Sequence, residues 1–484
     1  MPHTIRDADE ATTVLLVHAP YPGRLKFDGE PSSLLYAATP LLEALEASGR
    51  GGEAGLFDPR EASETAYEDL ACILRTGGAR VVAISTSSAA ILEAARIVGL
   101  VRALRGPSVL VVVGGPHEDD CETKCAEVIP GVDLSIAGES EYLLAAIVTD
   151  FLAGSALPAN HCRSLLGKFS SLAVPAGRGQ VTSRHWDAPF GRSFDFGPID
   201  LDQLPPRVRA PRAARFSVFG AARTLPLMIS RGCTYGRCTF CAEGSGAPAA
   251  SVLTQFDWIA RALAEQRCDA LYFQDSIFPN GRAVTDRLLP MLRDLGVPWG
   301  CQLYLPMLGR KAVDRLAQSG CRYVYTGIES GSSEILGAVG KGALSRELLV
   351  ERLDWIRDSG MRVGLSVMFG AMNDSGQTLE THGSVESTVG LCGQIVERRA
   401  RVAGFYPNVE TVLPGTRLAR QLAAAGIALD WYRPPRSPWF EELEDGGVGF
   451  NFTTVGSRPD AHGALVEHLR RASARLVELG ENAW

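Results

Sequence analysis

Residues 231–242 read RGCTYGRCTFCA, with Cys233, Cys238 and Cys241 separated by four and two residues. An apolar run, LPLMIS (225–230), leads into this stretch. Thiolates are the standard ligands of iron–sulfur clusters. Three of them on one tight loop can hold three irons of a 4Fe-4S cluster and leave the fourth iron open to a small ligand. The competing reading is a turn whose free cysteines are simply buried, a common fate for this residue type.

Working outward, strand and helix patterns alternate after the loop. The strands read LPLMIS, DALYFQD (269–275), WGCQLYL (299–305), YVYTGIE (323–329), RVGLSVMFG (362–370) and GFYPNVETVL (404–413). Helical patterns fall between them at 251–266, 281–294, 311–318, 332–339, 345–358 and about 378–398. Six such units predict a partial barrel with its site at the carboxyl ends of the strands, and the cysteine loop follows the first strand. Before the loop, strand patterns at 14–17, AGLFDP (54–59), VVAIS (81–85), VLVVV (109–113) and DLSIAG (133–138) alternate with helices near 33–47, 62–76, 89–104 and 120–128. That rhythm predicts a doubly wound parallel sheet with helices on both faces. Ligands of such sheets bind beyond the carboxyl ends of the strands. Small and flexible residues gather there: HAPYPG (18–23), STSS (85–88), GGPH (114–117) and GESE (138–141). No G-x-G-x-x-G stands at the first turn, which argues against a dinucleotide.

Composition sets the outer bounds. The chain has 484 residues, enough for two or three domains, and 46% are hydrophobic. A net charge of −7 and the lack of a basic stripe argue against nucleic acid as a partner. No apolar run reaches eighteen residues, so no membrane span is expected. The start, MPHTIRDADEATT, lacks the pattern of a signal or transit peptide, and the odd total of eleven cysteines does not suggest a disulfide framework, so a reducing, cytoplasmic setting is expected. Cys121 and Cys125 fall at helical spacing and pack or lie exposed; Cys301 and Cys321, near strand positions, could reach a pocket, with core packing the plainer reading.

Taken together, these motifs resemble the cobalamin-dependent radical S-adenosylmethionine (radical SAM) enzymes over nearly the whole chain. ISTSS, VVVGGPH and IAGESE carry the likeness in the first part, and RCTFC and GIESGS (327–332) carry it in the second. PIDLDQLPPR (198–207) resembles the segment that bridges the two domains. The resemblance implies a cobalamin-binding, Rossmann-like domain over 1–150, a linker over 151–222, a radical SAM partial (β/α)6 barrel over 223–416 and a C-terminal helical, aromatic-rich region over 417–484. The triad departs from the family's usual spacing of three and two by one extra residue, which lengthens the loop and keeps every ligand. Also missing is the Asp-x-His-x-x-Gly of many cobalamin proteins; the resemblance therefore implies cobalamin bound without a histidine below the cobalt.

By the same resemblance, Cys233, Cys238 and Cys241 hold the cluster. Ser85, Thr86, Ser87, Gly114, Gly115, His117, Gly138 and Glu139 line the cobalamin, with His117 at its periphery or capping a turn. Phe240 packs near the adenine of SAM or anchors the loop. FQDSIF (273–278) stands where the family often has Gly-Gly-Glu, so Gln274, Asp275 and Ser276 are candidates for the methionine end of SAM; a salt-bridged or solvent-facing Asp275 is the alternative. Glu329 and Ser330 suit the hydroxyl or amino groups of the nucleoside. MFGAMND (368–374) and VLPGT (412–416) resemble later strand ends along the adenine. Trp431, Tyr432, Trp439 and Phe440 cap the barrel mouth or belong to the core.

The implied chemistry is reductive cleavage of SAM to a 5′-deoxyadenosyl radical, hydrogen abstraction from an unactivated carbon, and methyl transfer from methylcobalamin. A cyclisation, ring contraction or other rearrangement with the same cofactors is the alternative. Implied partners are a small-molecule or peptide substrate and an external flavodoxin- or ferredoxin-type electron donor.

Overall fold

The computed structural model describes most of residues 12–20, 34–154, 224–244 and 251–427, with short pieces at 6–7, 172–173, 431–432, 441–442, 448–449 and 471–480. Two sheets organise them. The first contains β1 (Arg6–Asp7), β2 (Val14–His18), β3 (Ala54–Phe57), β4 (Val81–Ser85), β5 (Leu110–Gly114), β6 (Leu134–Ile136) and β7 (Leu172–Ala173). Its order is β1-β3-β2-β4-β5-β6-β7, parallel throughout except for the β6–β7 pair. Alternate residues of a strand face opposite sides, and both sides are covered here. Val14 and Leu16 pack with Leu41, Leu45, Leu143 and Ile147 of the helices Leu34–Ala47 and Glu141–Leu152. Leu15 and Val17 pack with Leu70, Leu74, Ile97 and Val101 of the helices Glu64–Thr76 and Ile91–Arg105. Strands covered on both faces read as continuous apolar runs, which is why VLLV and VLVVV are unbroken.

After the first sheet come β8 (Thr224–Leu227), β9 (Ser230–Arg231), β10 (Ser251–Val252), β11 (Ala270–Phe273), β12 (Trp299–Gln302), β13 (Cys321–Glu329), β14 (Arg362–Phe369) and β15 (Val402–Val409). All six predicted strands of this region join one parallel sheet in the order β15-β14-β13-β12-β11-β8, while β9 and β10 form a small antiparallel pair. Strands laid down in chain order with right-handed crossovers carry their helices on one face. That face is apolar: Leu227, Phe273, Cys301, Val324, Leu365 and Val367 share a core with Ile259, Leu292, Val313, Leu353 and Ile395 of the connecting helices. The opposite face carries Tyr272, Tyr323 and Tyr325.

Local differences from the sequence reading have physical causes. The helix expected at 120–128 is two short turns, Pro116–Asp120 and Cys125–Val128, because Pro116 starts a helix directly after Gly115. That expected at 281–294 is a π-turn, Val284–Leu288, followed by Leu289–Leu295; Pro290 has no N–H to continue an α ladder from the turn before it. Residues 251–252 belong to β10, and the helix expected from 251 begins at Asp257. The helix Glu141–Leu152 runs past the expected boundary at 150. Most of the expected linker lies outside the described residues, as do Trp439 and Phe440. Of the other C-terminal aromatics, Trp431 packs on a small core with Met372 and Leu418, and Tyr432 packs on the core of the first sheet.

Candidate active site

The cysteine loop leaves the carboxyl end of the β8 edge of the second sheet and is tied down along its length. At its start, the carboxylate of Asp275 accepts from the N–H of Ile229 at 3.2 Å and from the hydroxyl of Ser230. Asp275 is wholly buried, and burial pushes its carboxyl up to about 7. Gly232 (φ 86°) and Gly236 (φ 55°) take the left-handed conformations that turn the loop. Tyr235, in the lengthened interval, packs at a 46° tilt against Tyr304 with ring centroids 4.2 Å apart, and its hydroxyl donates to the carbonyl of Gly340. The N–H of Thr239 donates to Val339 O at 3.1 Å, and Thr239 O accepts from the N–H of Leu418 at 2.9 Å.

Gly340 sets how closely these two segments approach. It sits at φ 80°, and a Cβ there would lie 2.1 Å from the carbonyl oxygen of Arg237, inside the cysteine loop. Gly340→Ala is therefore expected to push the loop away from 338–341, lowering iron uptake by more than half and also lowering the urea midpoint, at a cost of about 1 kcal/mol or more. Iron counting beside urea unfolding checks both halves of that expectation.

All three cysteines are half-buried. Burial pushes Cys238 up to about 12; Lys341 pulls the other way, and Cys241, Glu329 and Cys233 push it further up. The three sulfurs thus share one electrostatic neighbourhood. Among the described residues no group of three or more His, Cys, Asp or Glu side chains is gathered to hold a metal ion. Three half-buried thiolate donors on one loop fit an iron–sulfur cluster, whose irons take thiolate ligands.

Behind the loop, Lys341 donates to Glu329 Oε1 at 2.5 Å and to the carbonyl of Gly327 at 3.1 Å, with its ammonium 5.3 Å from the centre of the Tyr304 ring. Burial by itself would lower the Lys341 pKa, but Glu329 and the thiols of Cys238 and Cys241 outweigh it and hold it above the ordinary value. Glu329 adopts φ 55°, a conformation uncommon for a side-chain-bearing residue, and folds back over Gly327.

Several of the expected site residues make contacts within the fold. Asp275 anchors the start of the loop from within the core, and Glu329 is paired with Lys341. Ser330, almost fully buried, meets the hydroxyl of Thr388 at 3.2 Å and accepts from the N–H of Ser332 at 3.1 Å. Gln274 is half-buried, and Ser276 is exposed beside it. Phe240 packs against Ile335, Val339, Met368 and Ala371, as a loop anchor would.

At the carboxyl edge of the first sheet, Ser85, Thr86, Ser87, Gly114 and Gly115 come together on β4 and β5. Thr86 N–H donates to Gly114 O at 2.9 Å, and a Cβ on Gly115 (φ 103°) would lie 2.8 Å from Thr86 O. The buried hydroxyl of Ser87 has no hydrogen-bond partner. A glycine-lined edge with an unanswered hydroxyl fits the periphery of a large polar cofactor. His117, expected at that periphery or as a turn cap, makes its contacts within the fold. Fully buried, its Nδ1 lies 3.0 Å from Ser88 Oγ and its Nε2 3.0 Å from Tyr432 OH, and burial, with Lys124 adding to it, lowers its pKa to about 4. Gly138 and Glu139 lie outside the described residues.

Residues 227–382 match the Radical SAM superfamily. The chain carries a radical SAM domain. It resembles an uncharacterized methyltransferase of Pyrococcus horikoshii, 24% identical over 375 residues that cover 76% of this chain and 74% of the relative. A shorter likeness, 29% identical over 150 residues, covers 29% of this chain and 28% of the cytidylyl-2-hydroxyethylphosphonate methyltransferase of Streptomyces wedmorensis. Among solved structures, the radical S-adenosylmethionine methyltransferase TsrM from Kitasatospora setae, with cobalamin and a 4Fe-4S cluster bound, superposes with a TM-score of 0.64 at 18% identity, covering 97% of this chain and 89% of TsrM. The cobalamin-dependent S-adenosylmethionine radical enzyme OxsB gives 0.57 at 16% identity, covering 94% and 66%. The chain therefore has the fold of TsrM and OxsB.

The second half of the chain holds two further groups that the sequence reading passed over. Lys341, in GAVGKGALS, has no local signal of its own. Glu410 follows β15 and is visible only as part of the polar alternation Tyr406, Asn408, Glu410 in GFYPNVETV. Its Oε2 accepts from the N–H of Met372 at 2.6 Å, while its buried Oε1 has no hydrogen-bond partner. Burial pushes this carboxyl up to about 8, with Glu380 and Glu329 adding to the effect.

Proposed function

We propose that this chain is a cobalamin-dependent radical SAM methyltransferase that places a methyl group on an unactivated carbon of a small biosynthetic intermediate. The observation that carries the reading is the three-cysteine loop at the carboxyl edge of the six-stranded parallel sheet, within the radical SAM match. When bound, the cluster with SAM supplies a hydrogen-abstracting radical, and cobalamin supplies the methyl group. The chain's own part is to hold and orient. Cys233, Cys238 and Cys241 ligate the irons, and Asp275, Tyr235, Thr239 and Gly340 fix the loop that carries them. Lys341 places a positive charge beside the thiolates, which favours their ionised, ligating form. Ser85, Thr86, Ser87, Gly114 and Gly115 offer hydroxyls and close backbone approach to the cobalamin.

Relatives named as methyltransferases support methyl transfer over rearrangement, and the tryptophan named as the substrate in a TsrM structure supports a small-molecule acceptor. Reduction of the cluster calls for an external one-electron donor of the flavodoxin or ferredoxin type, and the proposed setting is the cytoplasm. Anaerobic purification should give about four irons and one cobalamin per chain. With reductant and SAM bearing a deuterated methyl group, the chain should release 5′-deoxyadenosine and pass the label to an acceptor. A chain that never takes up cobalamin overturns the methyltransferase reading, and 5′-deoxyadenosine with no label transferred points to rearrangement.

A further inference from the structure

The sheet face opposite the helices of the radical SAM domain has a composition of its own. Tyr272 lies 6.2 Å from Tyr323 between ring centroids, and Tyr325 lies 5.5 Å from Tyr406. Asn408 Nδ2 donates to Ser366 Oγ and to Tyr406 O, each at 3.0 Å. Gly364 makes room for this lining, since a Cβ there would lie 2.3 Å from the Tyr323 hydroxyl and 3.0 Å from the Tyr406 ring. Along β15, Tyr406 and Asn408 alternate on this one face, and Glu410, just past the strand with its N–H donating to Phe369 O at 2.7 Å, continues the same alternation from ring to amide to carboxyl.

Charge on the same face is confined to its ends. Lys341 is paired with Glu329 at the carboxyl end, and Arg362 stands at the start of β14, at the opposite end. Among the described residues, the middle of the face carries no charged side chain. A phosphate or carboxylate placed there would be desolvated without a cation, which is strongly unfavourable. A flat ring with a hydrogen-bonding atom would meet aromatic faces and amide or hydroxyl groups instead. Glu410, held largely protonated near neutrality by its burial, has an unanswered oxygen at the end of the strip.

We propose that the strip Tyr406–Asn408–Glu410, faced by Tyr325, is the substrate-recognition surface of this chain, and that it takes an uncharged, ring-bearing small molecule rather than a phosphorylated or nucleotide-linked one. The inference rests on the proposed function only for the claim that the occupant is the methyl acceptor; binding itself needs no cofactor.

Saturation-transfer NMR on the full chain, with indole as the uncharged ring and cytidine monophosphate as the anionic comparator, tests it. Indole binds with a millimolar dissociation constant, and Tyr406→Ala and Asn408→Leu each weaken it about tenfold, while Tyr406→Phe retains it. Cytidine monophosphate at the same concentration does not displace indole. Thermal unfolding of each variant separates lost contacts from lost fold, and Tyr325→Ala serves as the replacement where Tyr406→Ala unfolds the chain. Three results overturn the proposal: displacement of indole by cytidine monophosphate, unchanged indole affinity in the folded variants, or no transfer to indole in the wild type. 5′-Deoxyadenosine release is read on the same preparations. Ring binding without it sinks the proposed function and leaves this inference standing; its release without strip-dependent ring binding does the reverse.

Discussion

Cys238→Ala gives a folded chain that retains almost no iron and forms no 5′-deoxyadenosine from SAM. The substitution removes one sulfur from a loop whose backbone is fixed by other groups. Thr239, the next residue, is bonded to Val339 and Leu418, and Tyr235 to Gly340, and none of those contacts uses the thiol. The loop should therefore keep its path, at a stability cost on the order of 1 kcal/mol. Two remaining thiolates are too few to hold three irons, so the cluster is lost outright. Cobalamin uptake is unchanged, because Ser85, Thr86, Ser87, Gly114 and Gly115 belong to the other sheet. Cys72→Ala is the matched control: Cys72 is exposed on a helix of the first sheet, and its loss leaves iron, cobalamin and product unaltered. Iron and cobalamin are counted on anaerobically purified protein, and 5′-deoxyadenosine by chromatography after reduction. Iron retained in Cys238→Ala at the wild-type level would refute the assignment of the triad.

Both sheets were legible in the sequence because burial leaves a local trace. VVAIS and VLVVV are covered on two faces and read as unbroken apolar runs; YVYTGIE alternates because one of its faces is core and the other is polar and aromatic. The cysteine loop was legible for a different reason: its three cysteines lie within nine residues of one another. What stayed hidden depends on register and distance along the chain. Nothing in GIESGS says that Glu329 meets Lys341, twelve residues on, or that Asp275 reaches back beneath the loop to Ile229 and Ser230. His117 and Tyr432 are separated by 315 positions, so the polar partner that commits His117 to the fold has no local signature. A glutamate after a strand looks alike whether it faces a ligand or a lysine. The difference is made by the turn Gly340–Lys341, whose approach to the cysteine loop only the folded chain shows.

That turn sets up an asymmetry between Glu329 and Lys341. Lys341→Met is expected to destabilise the chain by about 3–5 kcal/mol, because it leaves the Glu329 carboxylate buried without its cation. Glu329→Gln should cost less. The ammonium of Lys341 keeps the carbonyl of Gly327 at 3.1 Å and the face of Tyr304, and the glutamine amide still fits over Gly327. In the double variant Glu329→Gln, Lys341→Met no unpaired charge remains, so it should unfold at a higher urea concentration than Lys341→Met alone. Midpoints of the three variants, with the slope of each transition checked for constancy, measure the coupling between the two residues. If Glu329 instead served chiefly to hold the nucleoside of SAM, Glu329→Gln would weaken SAM binding, Lys341→Met would shift the midpoint only slightly, and the coupling would be near zero. A large coupling has a functional consequence as well. The pair joins the end of β13 to the turn that clamps the cysteine loop, so a chain that loses it should bind iron less firmly even with Cys233, Cys238 and Cys241 all in place.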